Sequence, residues 1–125
     1  MRGSERFTQR ASTAITKADD AALGMGHSYV GTEHLLLGII REGEGLGARI
    51  LTDNALTDAV LTRMVTETVG RGVPGAPEQG LSPRARHVIE LAAEDVNRLG
   101  HCYVGTEHIL MGILREADSA GARII

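Results

Sequence analysis

Residues 27–34 read HSYVGTEH and residues 101–108 read HCYVGTEH, identical except that Ser28 faces Cys102 across an offset of 74 residues. The same offset aligns Phe7-Thr8-Gln9-Arg10-Ala11 with Leu81-Ser82-Pro83-Arg84-Ala85. It also aligns Gly38-Ile39-Ile40-Arg41-Glu42 with Gly112-Ile113-Leu114-Arg115-Glu116, and Gly47-Ala48-Arg49-Ile50 with Gly121-Ala122-Arg123-Ile124. Matches that hold one register over this length mark an internal duplication. A single amphipathic unit rarely buries its own apolar face, so the two copies are expected to pack together as one domain.

Each copy reads as helices. Thr8 and Ser82 are N-cap candidates, and Pro83 falls at the first helical position, where its missing N–H is harmless. Ala11, Ala14, Ile15, Ala18 and Ala22 then form an apolar stripe, as do Val88, Ile89, Ala92, Val96 and Leu99 in copy two. Gly26 and Gly100 end these helices in the left-handed conformation that glycine reaches cheaply. Thr32 and Thr106 read as caps of the second helices, which are expected over Thr32–Glu42 and Thr106–Glu116 and are apolar on nearly every side. Gly38 and Gly112 each cost such a helix about 1 kcal/mol against alanine, and a close helix crossing would compensate. A third helix is expected near Gly45–Leu51. Thr57 or Asp58 opens a fourth, with Val60, Leu61, Met64, Val65 and Val69 at helical spacing.

The fold class that follows is all-α, two tandem four-helix repeats about a pseudo-two-fold axis, in a single domain over 1–125. Repeat one covers about 7–69 and repeat two 81–125. Residues 70–80, GRGVPGAPEQG, with four glycines and two prolines, form the linker. Copy two stops at Ile125 with no counterpart to the fourth helix of copy one. A cut chain, an absent helix or a helix supplied by a partner all fit that pattern.

Composition narrows the function classes. Hydrophobic residues at 42% and charged residues at 23% describe a globular chain rather than a disordered one. A net charge of -3 gives no general pull toward nucleic acid or anionic membrane, and Phe7, Tyr29 and Tyr103 are too few for a base-stacking platform. No run of 18 apolar residues occurs, so no membrane helix is expected, and the start does not read as a signal peptide. Cys102 is the only cysteine, which excludes an internal disulfide and fits a reducing, cytoplasmic compartment.

No phosphate-binding loop, dinucleotide fingerprint, HExxH, GxSxG or CxxC occurs, so no enzyme activity and no cofactor are expected. Gly43-Glu44-Gly45 joins helix to helix and reads as a turn. His27, His34, His101 and His108 recur in pairs beside Cys102. A metal-binding module would need three or four of these to converge, whereas spacing favours capping or buried hydrogen-bonded histidines. Glu33 and Glu107 each follow a helix-start threonine. The helix dipole favours a carboxylate there by roughly 0.3–1 kcal/mol. Beside free first-turn N–H groups, such a carboxylate also offers a place for a cation and an anion side by side.

The elements FTQRA, LSPRARHVIELA, GHSYVGTEHLLLGIIREGEG and GHCYVGTEHILMGILRE resemble the Clp repeat, the duplicated N-terminal domain of Clp-type AAA+ unfoldases, in its ClpC-type form. The resemblance covers about residues 5–125. It implies a non-enzymatic protein-binding domain that recruits adaptor proteins or marked substrates for the ATPase and peptidase machinery. In ClpC-type domains the marks include phosphorylated arginine. The resemblance carries the ligand-binding role to Glu33 and Glu107 for the guanidinium, with Thr8, Thr32, Ser82 and Thr106 as hydroxyl-bearing helix starts for the phosphate. Copy two departs from copy one at Ala117-Asp118-Ser119, so the two copies are open to differing in affinity or partner. The ATPase modules have no counterpart in the chain, which leaves a stand-alone decoy or accessory factor as the alternative.

Overall fold

The Thr8 hydroxyl accepts the Ala11 N–H at 3.0 Å and the Ser82 hydroxyl accepts the Ala85 N–H at 3.1 Å. These caps open α1 (Gln9–Gly24) and α5 (Pro83–Arg98), with Pro83 at the first helical position. Both helices end on a glycine at positive φ, Gly26 at 74° and Gly100 at 75°. That turn lets the His27 N–H reach back to the Ala22 carbonyl and the His101 N–H to the Val96 carbonyl, both at 2.9 Å.

The computed structural model describes residues 7–70, 80–116 and 119–124. Seven α-helices lie among them: α1, α2 (Thr32–Glu42), α3 (Leu46–Asp53), α4 (Asp58–Val69), α5, α6 (Thr106–Arg115) and α7 (Ala120–Ile124). The expected linker falls outside the described residues over 71–79. α4 starts from Thr57, whose hydroxyl accepts the Val60 N–H.

The centre is α2 and α6. α2 packs on α1, α3, α4, α5, α6 and α7, and α6 on α1, α2, α3, α5 and α7. Every residue of α2 from His34 to Ile39 is buried. Gly38 explains how α1 approaches so closely: a Cβ there would fall on the Ala14 carbonyl oxygen. Gly112 meets α5 in the same way, with the added Cβ 2.7 Å from the Val88 oxygen. With no large aromatic in the core, Leu35, Leu36, Leu37, Ile39, Leu61, Ile89, Ile109 and Ile113 fill it, interleaved with alanines of α1 and α5.

Leu99 departs from the expected stripe. It caps α5 and is 45% exposed. The buried row of α5 instead includes Asp95, where the offset of 74 puts Ala21 in α1. Asp95 Oδ1 accepts from Arg98 at 2.9 Å and from Arg115 at 2.7 Å, while Oδ2 is buried without a hydrogen-bond partner among the described residues. The Arg98 hydrogen bond, with Arg115 adding to it, holds this carboxyl below its usual range. Arg41, the counterpart of Arg115, is used differently: it reaches Asp58 at 3.2 Å and Thr62 at 3.1 Å and ties α2 to α4.

Candidate functional site

Two short parallel bridges decide where the candidate residues meet. Phe7 pairs with Val104, with the Thr8 N–H on the Val104 carbonyl at 2.9 Å. Leu81 pairs with Val30: the Val30 N–H reaches the Gly80 carbonyl and the Ser82 N–H the Val30 carbonyl, each at 2.9 Å. The start of α1 therefore lies beside the start of α6, and the start of α5 beside the start of α2. Glu33 consequently shares a cleft with Ser82 from the other copy, and Glu107 shares one with Thr8.

The first cleft, about 660 Å³, is lined by Tyr29, Gly31, Thr32, Glu33, Ser82, Arg84, Ala120 and Arg123, and extends to His27 and Val69. The second, about 260 Å³, is lined by Thr8, Arg10, Gly45, Leu46, Tyr103, Gly105, Thr106 and Glu107. All six residues expected at a site thus border one of the two clefts. Spacing alone did not reveal the crossing, nor the arginines. The available signal was Thr8-x-Arg10 and Ser82-x-Arg84, aligned by the same offset as the glutamates.

Thr32 and Thr106 are not the caps of their helices. The N-cap positions belong to Gly31 and Gly105, and each threonine is the first helical residue, 2% exposed. Thr32 Oγ1 accepts the Gly121 N–H at 2.8 Å, and Thr106 Oγ1 accepts the Gly47 N–H at 2.9 Å. These hydroxyls satisfy first-turn N–H groups of α7 and α3 instead of those of their own helices. Gly47 and Gly121 permit the approach, since a Cβ on either would lie 3.0 Å from threonine atoms.

The capping task passes to histidine. His34, at the third helical position, accepts the Gly31 N–H on Nδ1 at 2.8 Å, and His108 accepts the Gly105 N–H at 2.8 Å. An accepting Nδ1 places the proton of a neutral ring on Nε2. His34 Nε2 then donates to His27 Nδ1 at 2.6 Å, and His27 Nε2 donates to the Gly70 carbonyl at 2.8 Å. His108 and His101 meet at 2.9 Å. Spacing argued against two imidazoles on one helix face. They meet because His27 and His101 stand on the preceding loop. Burial, with His27 adding to it, pushes His34 down to about 4. Among the described residues no three His, Cys, Asp or Glu side chains converge as metal ligands, and Cys102 is exposed.

Glu33 and Glu107 sit at the second helical position, half-buried. Each carboxylate folds back over the bare face of the N-cap glycine, where a Cβ on Gly31 or Gly105 would collide with its Oε1. Around Glu33 the guanidiniums of Arg84 and Arg123 have no hydrogen-bond or ion-pair partner among the described residues. Arg10, the counterpart of Arg84, donates to the Glu44 carbonyl at 3.0 Å. Each cleft thus combines a carboxylate with a helix-start hydroxyl and at least one arginine from the opposite copy: Arg84 and Arg123 in the first, Arg10 in the second.

Residues 6–125 match the family model of the Clp repeat (R) N-terminal domain. The chain is 43% identical over 120 residues to the negative regulator of genetic competence ClpC/MecB of Bacillus subtilis. It is 40% identical over 120 residues to the chaperone protein ClpB of Oceanobacillus iheyensis. Both matches cover 96% of the chain and 15% of the relative, so the chain spans a small part of the length of these proteins. The crystal structure of the N-terminal domain of the ClpD chaperone from Arabidopsis thaliana superposes with a TM-score of 0.79 at 27% identity, covering 96% of this chain and 84% of that one.

Proposed function

The chain belongs to the Clp repeat N-terminal domain family, and from that premise we propose that it recruits adaptor proteins or arginine-phosphorylated substrates to a Clp unfoldase in the cytoplasm. The domain is non-catalytic, without ATPase or protease motifs. The observation that supports this reading is the pair of crossed clefts, each joining a glutamate at a helix start to a hydroxyl and a cation from the other copy. In this proposal the two copies, about 7–69 and 81–125 joined by 70–80, are four-helix repeats related by a pseudo-two-fold axis. The reciprocal bridges and the reciprocal threonine bonds support that axis.

A phosphoarginine side chain presents a planar guanidinium and a phosphate on one nitrogen. A carboxylate matches the guanidinium fork better than an amide does. Glu33 and Glu107 take that part. Thr8 and Ser82 spend a lone pair on their caps and keep an O–H to donate to phosphate oxygen, and first-turn N–H groups add donors. Thr32 and Thr106 line the clefts with hydroxyls anchored across the two copies. The carboxylate repels a bare phosphate, so free phosphate and phosphoserine should bind poorly.

Calorimetry with free phosphoarginine tests the reading. Glu33→Ala and Glu107→Ala should each weaken their cleft by about 1.5–3 kcal/mol, the worth of a hydrogen bond to a charged group, with solvent exposure favouring the lower figure. No heat with the unaltered chain, or one affinity in all three proteins, overturns it.

A further inference from the structure

We infer that the two clefts are unequal receptors, and that the first, built on Glu33, Arg84 and Arg123, is the one that fills first. The inference rests on the phosphoarginine reading above and adds to it which cleft is filled and through which groups.

The inequality comes from particular exchanges between the copies. Where the first cleft has the methyl group of Ala120, the second has the isobutyl group of Leu46, and their volumes are about 660 and 260 Å³. Arg84 and Arg123 line the first cleft with no hydrogen-bond or ion-pair partner among the described residues. Of their counterparts only Arg10 lines the second, and it is already engaged. Arg10 is held by the Glu44 carbonyl at 3.0 Å, and Arg49 lines not the second cleft but the adjoining hollow that shares Arg10, Gly45 and Leu46 with it. The first cleft therefore offers one carboxylate and two free guanidiniums, which complements a ligand carrying one cation and one dianion.

Backbone donors differ in the opposite sense, and this makes the inference sharper. Pro83 opens α5 and has no N–H, whereas Gln9 opens α1 with one. An anion in the first cleft must lean on arginine side chains, while one in the second leans on backbone N–H groups. Two charge-assisted forks outweigh one neutral N–H, so the first cleft has the higher affinity. Its binding is also the more sensitive to loss of a single arginine.

A site-resolved amide NMR titration of the 125-residue chain with free phosphoarginine separates the clefts. The amides of Thr32, Glu33 and Arg84 should saturate at about tenfold lower ligand than those of Thr106, Glu107 and Arg10, a factor of ten being about 1.4 kcal/mol. Arg84→Gln or Arg123→Gln should weaken the first cleft about tenfold and leave the second unchanged. Leu46→Ala should bring the second to within about threefold of the first, and Ala120→Leu should narrow the first. Both sets of amides saturating together, or the second set first, overturns the inference while leaving phosphoarginine recognition standing. No shift in either set sinks that recognition and this inference with it.

Discussion

Lowering the pH tests the histidine relay, because both rings must be neutral for it to exist. Gly31 N–H donates to His34, His34 to His27, and His27 to the Gly70 carbonyl. Protonating either ring sets two N–H groups against each other. His34 is lowered from 6.5 to about 4, so between these values the unfolded chain binds a proton that the folded chain refuses. Stability from His34 is therefore complete above pH 6.5 and is lost as pH falls toward about 4. At about 1.4 kcal/mol per unit, the loss is roughly 3 kcal/mol, a large share of the stability of a small domain. Two other groups need separating from it. His87, raised mainly by its hydrogen bond to Glu116, works in the opposite sense: its contribution is present below pH 6.5 and lost as pH rises. Asp95 is lowered from 3.8, so its contribution is lost only below that. Urea unfolding of the chain and of His34→Gln across this range isolates His34. Glutamine at the third helical position still accepts the Gly31 N–H and does not titrate. The stability difference between the two proteins should shrink by roughly 3 kcal/mol from above pH 6.5 to about pH 4. A difference that stays constant with pH would refute the relay as drawn.

Gly38→Ala should lower stability by about 2 kcal/mol or more by denaturant unfolding, since the new methyl strikes the Ala14 carbonyl of α1 and the gain in helix propensity is only about 1 kcal/mol. Gly112→Ala should cost less, its nearest atom being 2.7 Å away. Thr106→Val leaves the Gly47 N–H buried and unpaired at a cost of about 1–3 kcal/mol, and Thr106→Ser should recover most of it in the same assay. Asp95→Asn should lower the urea midpoint more than Asp95→Ala, because asparagine keeps buried polar atoms without the charge that holds Arg98 and Arg115. Hydrogen exchange should show copy two less protected than copy one, as Leu99, Met111 and Leu114 are exposed while their counterparts Met25 and Leu37 are buried and Ile40 is half-buried.

The helices themselves were legible because each was signalled locally. The starts of α1 and α5 followed from a hydroxyl residue before an alanine-rich stripe, and their ends from Gly26 and Gly100. Gly38 and Gly112 were read as crossings because glycine has no other use inside an apolar helix, and the added-Cβ collisions agree. What the local pattern does not carry is the pairing of side chains across turns and between the copies. Thr32 looks like a cap until its partner is known to be Gly121, and no local pattern names that residue. His27 and His34 look unrelated while only helix faces are compared, because their meeting depends on the Gly26 turn. Asp95 does carry a local signal: an acid inside the row Leu91, Ala92, Asp95, Val96, with Arg98 three residues on, marks a buried ion pair.

The duplication is also what builds the clefts. A single copy carries a glutamate at the start of its second helix and a hydroxyl at the start of its first. The chain between them, Gln9–Gly24 and the loop to Thr32, keeps those two starts apart. Bridging Phe7 to Val104 and Val30 to Leu81 brings each glutamate to the other copy's hydroxyl instead. The buried threonines then fix the spacing, because each hydroxyl holds a glycine N–H of the opposite copy within 2.9 Å. A repeat expressed alone would keep Glu33 and lose Ser82, Arg84 and Arg123 from its cleft. Under this geometry, the two copies have to stay together for either cleft to be complete, and each copy then remains free to vary half of both.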